Sequence, residues 1–205
     1  MSSLEPGDIS EELLDVFCAH KNIMPHIHLS VQSGSDAVLK QMCRPYSAEE
    51  LRGKIELIKR RLDRPAITCD IIVGFPGETD EDFQETVELA KWAGFSKIHV
   101  FPFSARAGTA GAKMKYKVPS KVAKHRAEIM RNLGDALGRK FREQFVGQSC
   151  EVLIEGSKDS QAFGHCERYF MVSLVQDTKK HKKNELLTAK IVGNGEDGVL
   201  AEVKN

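Results

Sequence analysis

Three short stretches of the chain alternate apolar and polar residues with a period of two: His26–Gln32 (HIHLSVQ), Ile67–Val73 (ITCDIIV) and Lys97–Phe103 (KIHVFPF). That period predicts strands. Between them the apolar spacing lengthens to that of helices. Ser47-x-x-Glu50 is a capping box ahead of Leu51, Ile55, Ile58 and Leu62. Thr79 caps a helix with Phe83, Val87 and Ala90 on one stripe, and Ser120 starts a long helix carrying Met130, Leu133, Leu137, Phe141 and Phe145. Ahead of the first strand, Asp8 or Ser10 caps a short helix with Leu13, Leu14 and Phe17, and Ser35 opens another after it.

Strands separated by helices imply a parallel sheet with crossover connections. In the first strand Ile27, Leu29 and Val31 point one way, and His26, His28, Ser30 and Gln32 the other. In the second, Thr68 and Asp70 oppose Ile67, Ile71 and Val73; in the third, His99 and Phe101 oppose Ile98 and Val100. A parallel sheet covered by helices on both faces is apolar on both. A polar column on each strand fits staves of a barrel, apolar toward the helices and polar toward a ligand-holding cavity. The alternative is that these residues hydrogen-bond one another in a filled core.

After Val146-Gly147 the pattern changes. Cys150–Glu155, Tyr169–Val175, Leu187–Val192 and Val199–Val203 are short alternating stretches with Gly-, Ser-, Asp- and Lys-rich loops between them. They predict a small antiparallel β-barrel, a shape often used to hold nucleic acid. The expected fold is thus α/β, a partial (β/α) barrel over 1–145 followed by a small OB-like barrel over 146–205. Tyr169 and Phe170 are candidates to stack on a base, against the commoner role of strand aromatics in a core.

The 205 residues are 41% hydrophobic and 29% charged, as in an ordinary water-soluble domain. No apolar run approaches the ~20 residues that span a bilayer, and MSSLEPGDIS carries no secretory pattern. A cytoplasmic protein without membrane contact is expected. The net charge is only +1, but from Lys113 to Glu143 ten basic side chains face three acidic ones, and Lys179–Lys183 adds a second cluster. Such runs are either solvated faces or a polyanion-binding surface. The five cysteines, at 18, 43, 69, 150 and 166, include no CxxC pair. That spacing argues against a CxxC zinc or redox motif, and the odd count without a secretory pattern argues against a disulfide framework.

Gly74-Phe75-Pro76-Gly77 breaks the second strand into a turn, and Asp80, Glu81 and Asp82 follow at once in the first turn of a helix. A phosphate cradle uses bare N–H groups and the positive end of a helix. Here carboxylates already answer that end, so the turn suits an uncharged or cationic ligand.

HIHLSVQSGSDAVLKQMCRPYS, TCDIIVGFPGETDEDFQETVELAK and FSKIHVFPFSARAGTAGAKM, in that order, resemble the radical S-adenosylmethionine methylthiotransferases, which thiomethylate tRNA adenosines. The opening SSLEP resembles the strand end that precedes these motifs, and the closing barrel resembles the family's tRNA-binding TRAM domain. HVFPFSARAGT is most similar to the branch acting on N6-threonylcarbamoyladenosine beside the anticodon; the isopentenyladenosine branch shares much of that loop. The resemblance implies that S-adenosylmethionine lies across the carboxyl ends of the strands. It carries a sulfonium and an ammonium but no phosphate, which fits the acidic turn. The matching positions are Glu5 for ribose hydroxyls, Arg44 for the methionyl carboxylate, Gln32 and Ser33, the Gly74-Phe75-Pro76 turn, and Phe75 for adenine. For tRNA the expected contacts are Arg106, Lys121, Arg126, Arg139, Lys180 and Lys182.

The family holds its radical 4Fe–4S cluster on CxxxCxxC upstream of SSLEP. That spacing is absent here, and Cys43 and Ser30 stand where the family often has Asn and Pro. The resemblance therefore implies the carboxyl-terminal half of such an enzyme, inactive by itself and completed by an amino-terminal half. Two other readings stay open: a non-catalytic tRNA-binding module, and an unrelated barrel enzyme using Asp70 and His99 as acid and base.

Overall fold

The structure, a computed structural model, describes residues 3–158, 161–175 and 181–204. Six helices, α1 (Glu11–Ala19), α2 (Asp36–Gln41), α3 (Ala48–Arg61), α4 (Asp80–Ala93), α5 (Ala110–Lys113) and α6 (Ser120–Glu143), alternate with β1 (His26–Gln32), β2 (Ala66–Val73) and β3 (Lys97–Pro102). Five further strands follow: β4 (Ser149–Lys158), β5 (Gln161–Cys166), β6 (Met171–Leu174), β7 (Leu186–Asn194) and β8 (Gly198–Val203). The helix starts follow local chemistry. The Ser10 hydroxyl, rather than Asp8, accepts the Leu13 N–H, and Ser47 and Thr79 each form a reciprocal capping box. α4 stops at Gly94, whose φ of 61° is left-handed.

β1, β2 and β3 form a parallel sheet in that order. Leu4 makes a further parallel bridge to Leu29 on the outer edge of β1. Helices cover one face of the sheet. Ile27, Leu29, Val31, Ile67, Cys69, Ile71 and Val73 join Leu51, Ile55, Ile58, Val87, Leu89 and Met130 in one buried cluster. The opposite face carries the polar column, so the sheet is a partial barrel, open on its polar side.

The turn after β2 is held from within. Glu78 is buried; its Oε2 accepts the Gly74 N–H at 2.7 Å and the Arg126 Nη1 at 2.5 Å. The other arm of Arg126, itself 5% exposed, reaches Asp80 Oδ1 at 2.6 Å; its Nε alone has no partner among the described residues. Burial pushes the Glu78 carboxyl above its ordinary range, against the Gly74 N–H and the guanidinium. Burial likewise opposes the charge of Arg126, but Asp80 and Glu78 outweigh it and hold its pKa up. Gly74 has φ +74°, and a Cβ there would lie 2.6 Å from Ala123 Cβ. Its small size thus lets α6 seat against the turn. Arg126, expected at a tRNA surface, is an internal clamp.

The five later strands close a barrel in the order β4-β5-β6-β8-β7. Two expectations are corrected. β5 was not anticipated, and β6 pairs with β8 in parallel, so the barrel is not wholly antiparallel. β5 reads QAFGHC, with Gly164 in the middle of a short alternation, which disguises a strand. Tyr169 and Phe170 lie before β6 rather than in it, and Tyr169 has a left-handed φ of 59°. Among the described residues no helix is long and apolar enough to cross a membrane.

The barrel shares its core with the sheet domain. Phe141 from the end of α6, Phe145 from the turn just after it, and Ala66 from β2 pack with Val152, Ile154, Val172, Ile191 and Val199. Arg142, buried at this junction, donates to Asn194, Gly195 and Glu196 between β7 and β8. Arg168 donates to the carbonyls of Asp63 and Arg64 and lies 4.6 Å from the Phe145 ring centre. Tyr169 stacks on both His26 of β1 and His165 of β5, each at 4.7 Å. The barrel therefore docks at the amino-terminal ends of the parallel strands.

Two outcomes test this packing. Arg126→Met strands a buried carboxylate and is expected to cost about 3–5 kcal/mol in urea denaturation. Adding Glu78→Gln, whose amide oxygen still accepts the Gly74 N–H, should recover more than 1 kcal/mol of that loss; a loss below 1 kcal/mol for Arg126→Met alone would remove the clamp. The second concerns His26, whose pKa burial, then His28, pushes down from 6.5 to about 4. A histidine depressed in the folded state contributes full stability above its unfolded pKa and loses it as pH falls toward the folded one. Stability should therefore decline between pH 6.5 and about 4. His26→Gln should flatten that limb, and an unchanged slope would refute the assignment.

Candidate functional site

The carboxyl ends of β1–β3 and the loops beyond them enclose a cleft of about 630 Å³. Gln32, Arg44, Asp70, Phe75, Phe101 and Arg106 line it, with Met42, Cys43 and Phe103 between them. β1 ends in a bulge, where the register to β2 shifts between Leu29 and Gln32. Gln32 then takes a left-handed φ of 63°. A non-glycine residue held there is uncommon, and the distortion turns an amide that is 7% exposed toward the cleft. The Phe75 ring meets Phe103 edge-on at 5.1 Å, and Phe101 is half exposed opposite. The wall therefore offers aromatic surface together with two guanidinium groups.

Arg44 Nη1 donates to Glu5 Oε1 at 2.8 Å. Glu5 Oε2 is buried with no partner among the described residues. A buried acceptor without a donor costs free energy and marks a place for a hydroxyl or N–H from a ligand. Ser33 is set apart from this group. It is fully buried, with its hydroxyl on Thr86 of α4 at 3.1 Å and on the Ser35 N–H at 3.2 Å, so it fixes the loop against a helix. Gly74 meets α6 and Pro76 is buried in the turn; neither is among the residues lining the cleft. The sequence thus pointed to Gln32, Arg44 and Phe75 at the cleft, and gave Asp70 and Phe101 no cofactor role. Their places on the polar face of β2 and β3 were the signal available for both.

Below the cleft the polar faces of the strands form a chain. His26 Nε2 and His28 Nδ1 both contact Thr68 Oγ1, at 3.1 and 2.8 Å. His28 Nε2 lies 3.2 Å from Asp70 Oδ2, and His99 meets the His28 ring edge-on at 5.5 Å. Burial, then Lys97, holds the His99 pKa down. Both expectations for this face hold in part: its lower residues satisfy one another, while Asp70 and Gln32 reach the cleft.

The tRNA-facing expectations divide. Arg106 lines the cleft itself. Lys121 and Arg139 are exposed on α6, and Lys182 is exposed ahead of β7. Lys180 lies outside the described residues. Tyr169, 60% exposed, already stacks with His26 and His165, and Phe170 packs against the barrel core.

The residues present fit the two implied groups differently. S-Adenosylmethionine fits: the Arg44 cation and the Phe75 face line the cleft as partners for carboxylate and adenine, and Glu5, held by Arg44 though not itself in the lining, keeps one oxygen for the ribose. For an iron–sulfur cluster, no three His, Cys, Asp or Glu side chains converge in ligating geometry among the described residues. Cys69, Cys150 and Cys166 are buried; burial pushes the last two thiols up to about 12 and about 11, making them packing residues rather than thiolates.

Comparison with known proteins agrees with this geometry. Residues 3–90 match the Radical SAM superfamily. The chain is 40% identical over 162 residues to tRNA-2-methylthio-N(6)-dimethylallyladenosine synthase of Syntrophotalea carbinolica, covering 78% of this chain and 37% of the relative. It is 32% identical over 201 residues to threonylcarbamoyladenosine tRNA methylthiotransferase MtaB of Thermotoga maritima, covering 98% of this chain and 46% of the relative. The chain thus spans less than half the length of these relatives. Among solved structures, coproporphyrinogen III oxidase (HemN) from Escherichia coli, a radical SAM enzyme, shares the fold with a TM-score of 0.53 at 21% identity, over 71% of this chain and 33% of that one. Residues 3–90 thus carry the radical SAM match, and the chain is similar to tRNA methylthiotransferases over most of its own length.

Proposed function

We propose that this chain is the cofactor-holding and tRNA-holding part of an enzyme that adds a methylthio group to N6-threonylcarbamoyladenosine next to the anticodon. The observation that carries this reading is the cleft at the strand ends, lined by Arg44, Gln32 and Phe75 with a second cation, Arg106, and bordered through Arg44 by Glu5, whose Oε2 has no partner among the described residues. Bound there, S-adenosylmethionine supplies the methyl group and the radical chemistry. The chain's own residues bind and orient it. Glu5 Oε2 accepts from the ribose, Arg44 exchanges part of its pairing with Glu5 for the methionyl carboxylate, and Phe75 covers the adenine.

Arg106 favours the threonylcarbamoyl branch. A threonylcarbamoyl group carries a carboxylate and a dimethylallyl group none, so a guanidinium beside the cofactor is useful to the first and unpaired with the second. The cluster ligands and the remaining wall of the barrel belong, in this reading, to an amino-terminal half outside these 205 residues. The barrel over 146–205, read as a TRAM-type module, together with exposed Lys121, Arg139 and Lys182, contacts tRNA phosphates.

Two measurements test the proposal. In calorimetric titration of S-adenosylmethionine, Arg44→Ala should weaken binding by about tenfold or more, as loss of a charge-assisted pair does. Arg44→Lys should recover only part of it, because an ammonium lacks the planar fork. Equal affinity in all three proteins would remove Arg44 from the site. Anaerobic reconstitution with iron and sulfide should leave the isolated chain without the visible absorbance of a 4Fe–4S cluster; a stoichiometric cluster would overturn the placement of its ligands elsewhere.

A further inference from the structure

On the helix-covered side of the sheet, away from the cleft, the end of α3, the end of α4 and the last turns of α6 border a groove of about 560 Å³. Lys59, Arg64, Lys91 and Lys140 line it, with Trp92 and Gln144 beside them and no acidic residue in the lining. The chain as a whole is nearly neutral, yet this lining carries four cations and no acid; Asp63 and Glu88, which pair at exposed positions with Arg64 and Lys91, stand outside it. We propose that this groove holds the phosphodiester backbone of a structured RNA whose adjoining part lies on the β-barrel. This inference rests on the tRNA reading above and adds to it a second contact surface, on the sheet domain.

How the cations are held supports a polyanion. Lys59 Nζ donates to the Ala93 carbonyl at the end of α4, at 2.6 Å, and lies 5.5 Å from the Trp92 ring centre. Arg52 lies over the same ring at 4.7 Å. A carbonyl and an aromatic face position a cation without cancelling its charge, as a carboxylate does. Lys140 has no ion-pair partner among the described residues, and Lys91 pairs only with half-exposed Glu88 at 2.9 Å, an exposed contact of little strength. The four charges come from three helices and a loop and do not converge on one point. A small anion needs convergent donors; a backbone with charges at intervals does not.

The groove is also continuous with the barrel. Arg64 lies over Phe145 at 4.8 Å and donates to Gln148, next to the start of β4, at 3.1 Å. Phe141 lines the groove and also belongs to the barrel core. A strand leaving the barrel surface at β4 therefore meets Arg64 first, then Lys140 and Lys91.

The test is filter binding of the full chain to an in vitro transcribed tRNA with an adenosine 3′ of its anticodon, across a series of salt concentrations. The double variant Lys91→Gln/Lys140→Gln, both sites exposed, is expected to bind about tenfold more weakly at low salt. Its dependence of log K on log salt should be shallower by about one to two. A matched variant, Lys21→Gln/Lys40→Gln, changes net charge equally away from the groove and should bind as the parent does. Parent-like affinity and slope for the groove variant, at an unchanged melting temperature, would overturn the groove alone. An equal loss in the matched variant would overturn it too, by reducing the effect to net charge. If the parent itself shows no salt-dependent tRNA binding, the tRNA reading falls, and the groove with it.

Discussion

The buried pairing of Glu78 with Arg126 and the Gly74 N–H is the constraint on which the rest of the sheet domain depends. It ties the turn after the central strand to the long helix that covers the sheet. Phe75, in that turn, is thereby set as a wall of the cleft, and α6 is fixed against β3. Burying an ion pair is worthwhile only when its remaining groups are satisfied. Here Asp80 takes the second arm of the guanidinium, and the peptide N–H takes part in neutralising the carboxylate. Within the acidic turn Asp80 thus pairs with an arginine from this chain, and Asp82 caps α4 through Thr79 and accepts from Ser35. These two carboxylates have partners without a ligand.

From that frame the open face of the sheet divides by height. Near the barrel, His26, Thr68, His28 and Asp70 form a continuous hydrogen-bonded chain, which keeps polar groups satisfied in a sheet that helices cover on one side only. At the strand ends, satisfaction stops. Glu5 Oε2 is buried without a donor and Gln32 sits in a left-handed backbone conformation. Such departures concentrate where a ligand completes the structure. Their coincidence with Arg44, Phe75 and Arg106 gives the cleft its chemical character.

The barrel is not a separate bead on the chain. Its core includes Phe141 and Phe145, and its docking uses a three-ring stack through Tyr169 and the carbonyl contacts of Arg168. The same residues that make the junction stiff also bring Arg64 to the edge of the basic groove. Surfaces on the two parts are thus held in one geometry, which favours a partner long enough to touch both.

The order of elements through α6 apart from the short α5, the capping residues, the two faces of β1–β3 and the α/β-to-β change near residue 146 were legible in the sequence, because each depends on contacts between residues close in the chain; β5 was not. Arg44, Phe75 and Gln32 were legible as cleft residues through their motifs. What the sequence could not decide was the use of its charges and aromatics. Arg126 and Arg142 read like their exposed neighbours, yet both are buried in internal pairings. Tyr169 reads as a stacking platform for a base, yet it stacks on two histidines from different elements of this chain. Gly74 and Ser33 read as ligand contacts, yet they serve helix packing. Local periodicity determines which side of an element a residue occupies. Only the tertiary structure decides what waits on that side, because the partner comes from dozens of residues away and a charge or a ring takes its role from that partner.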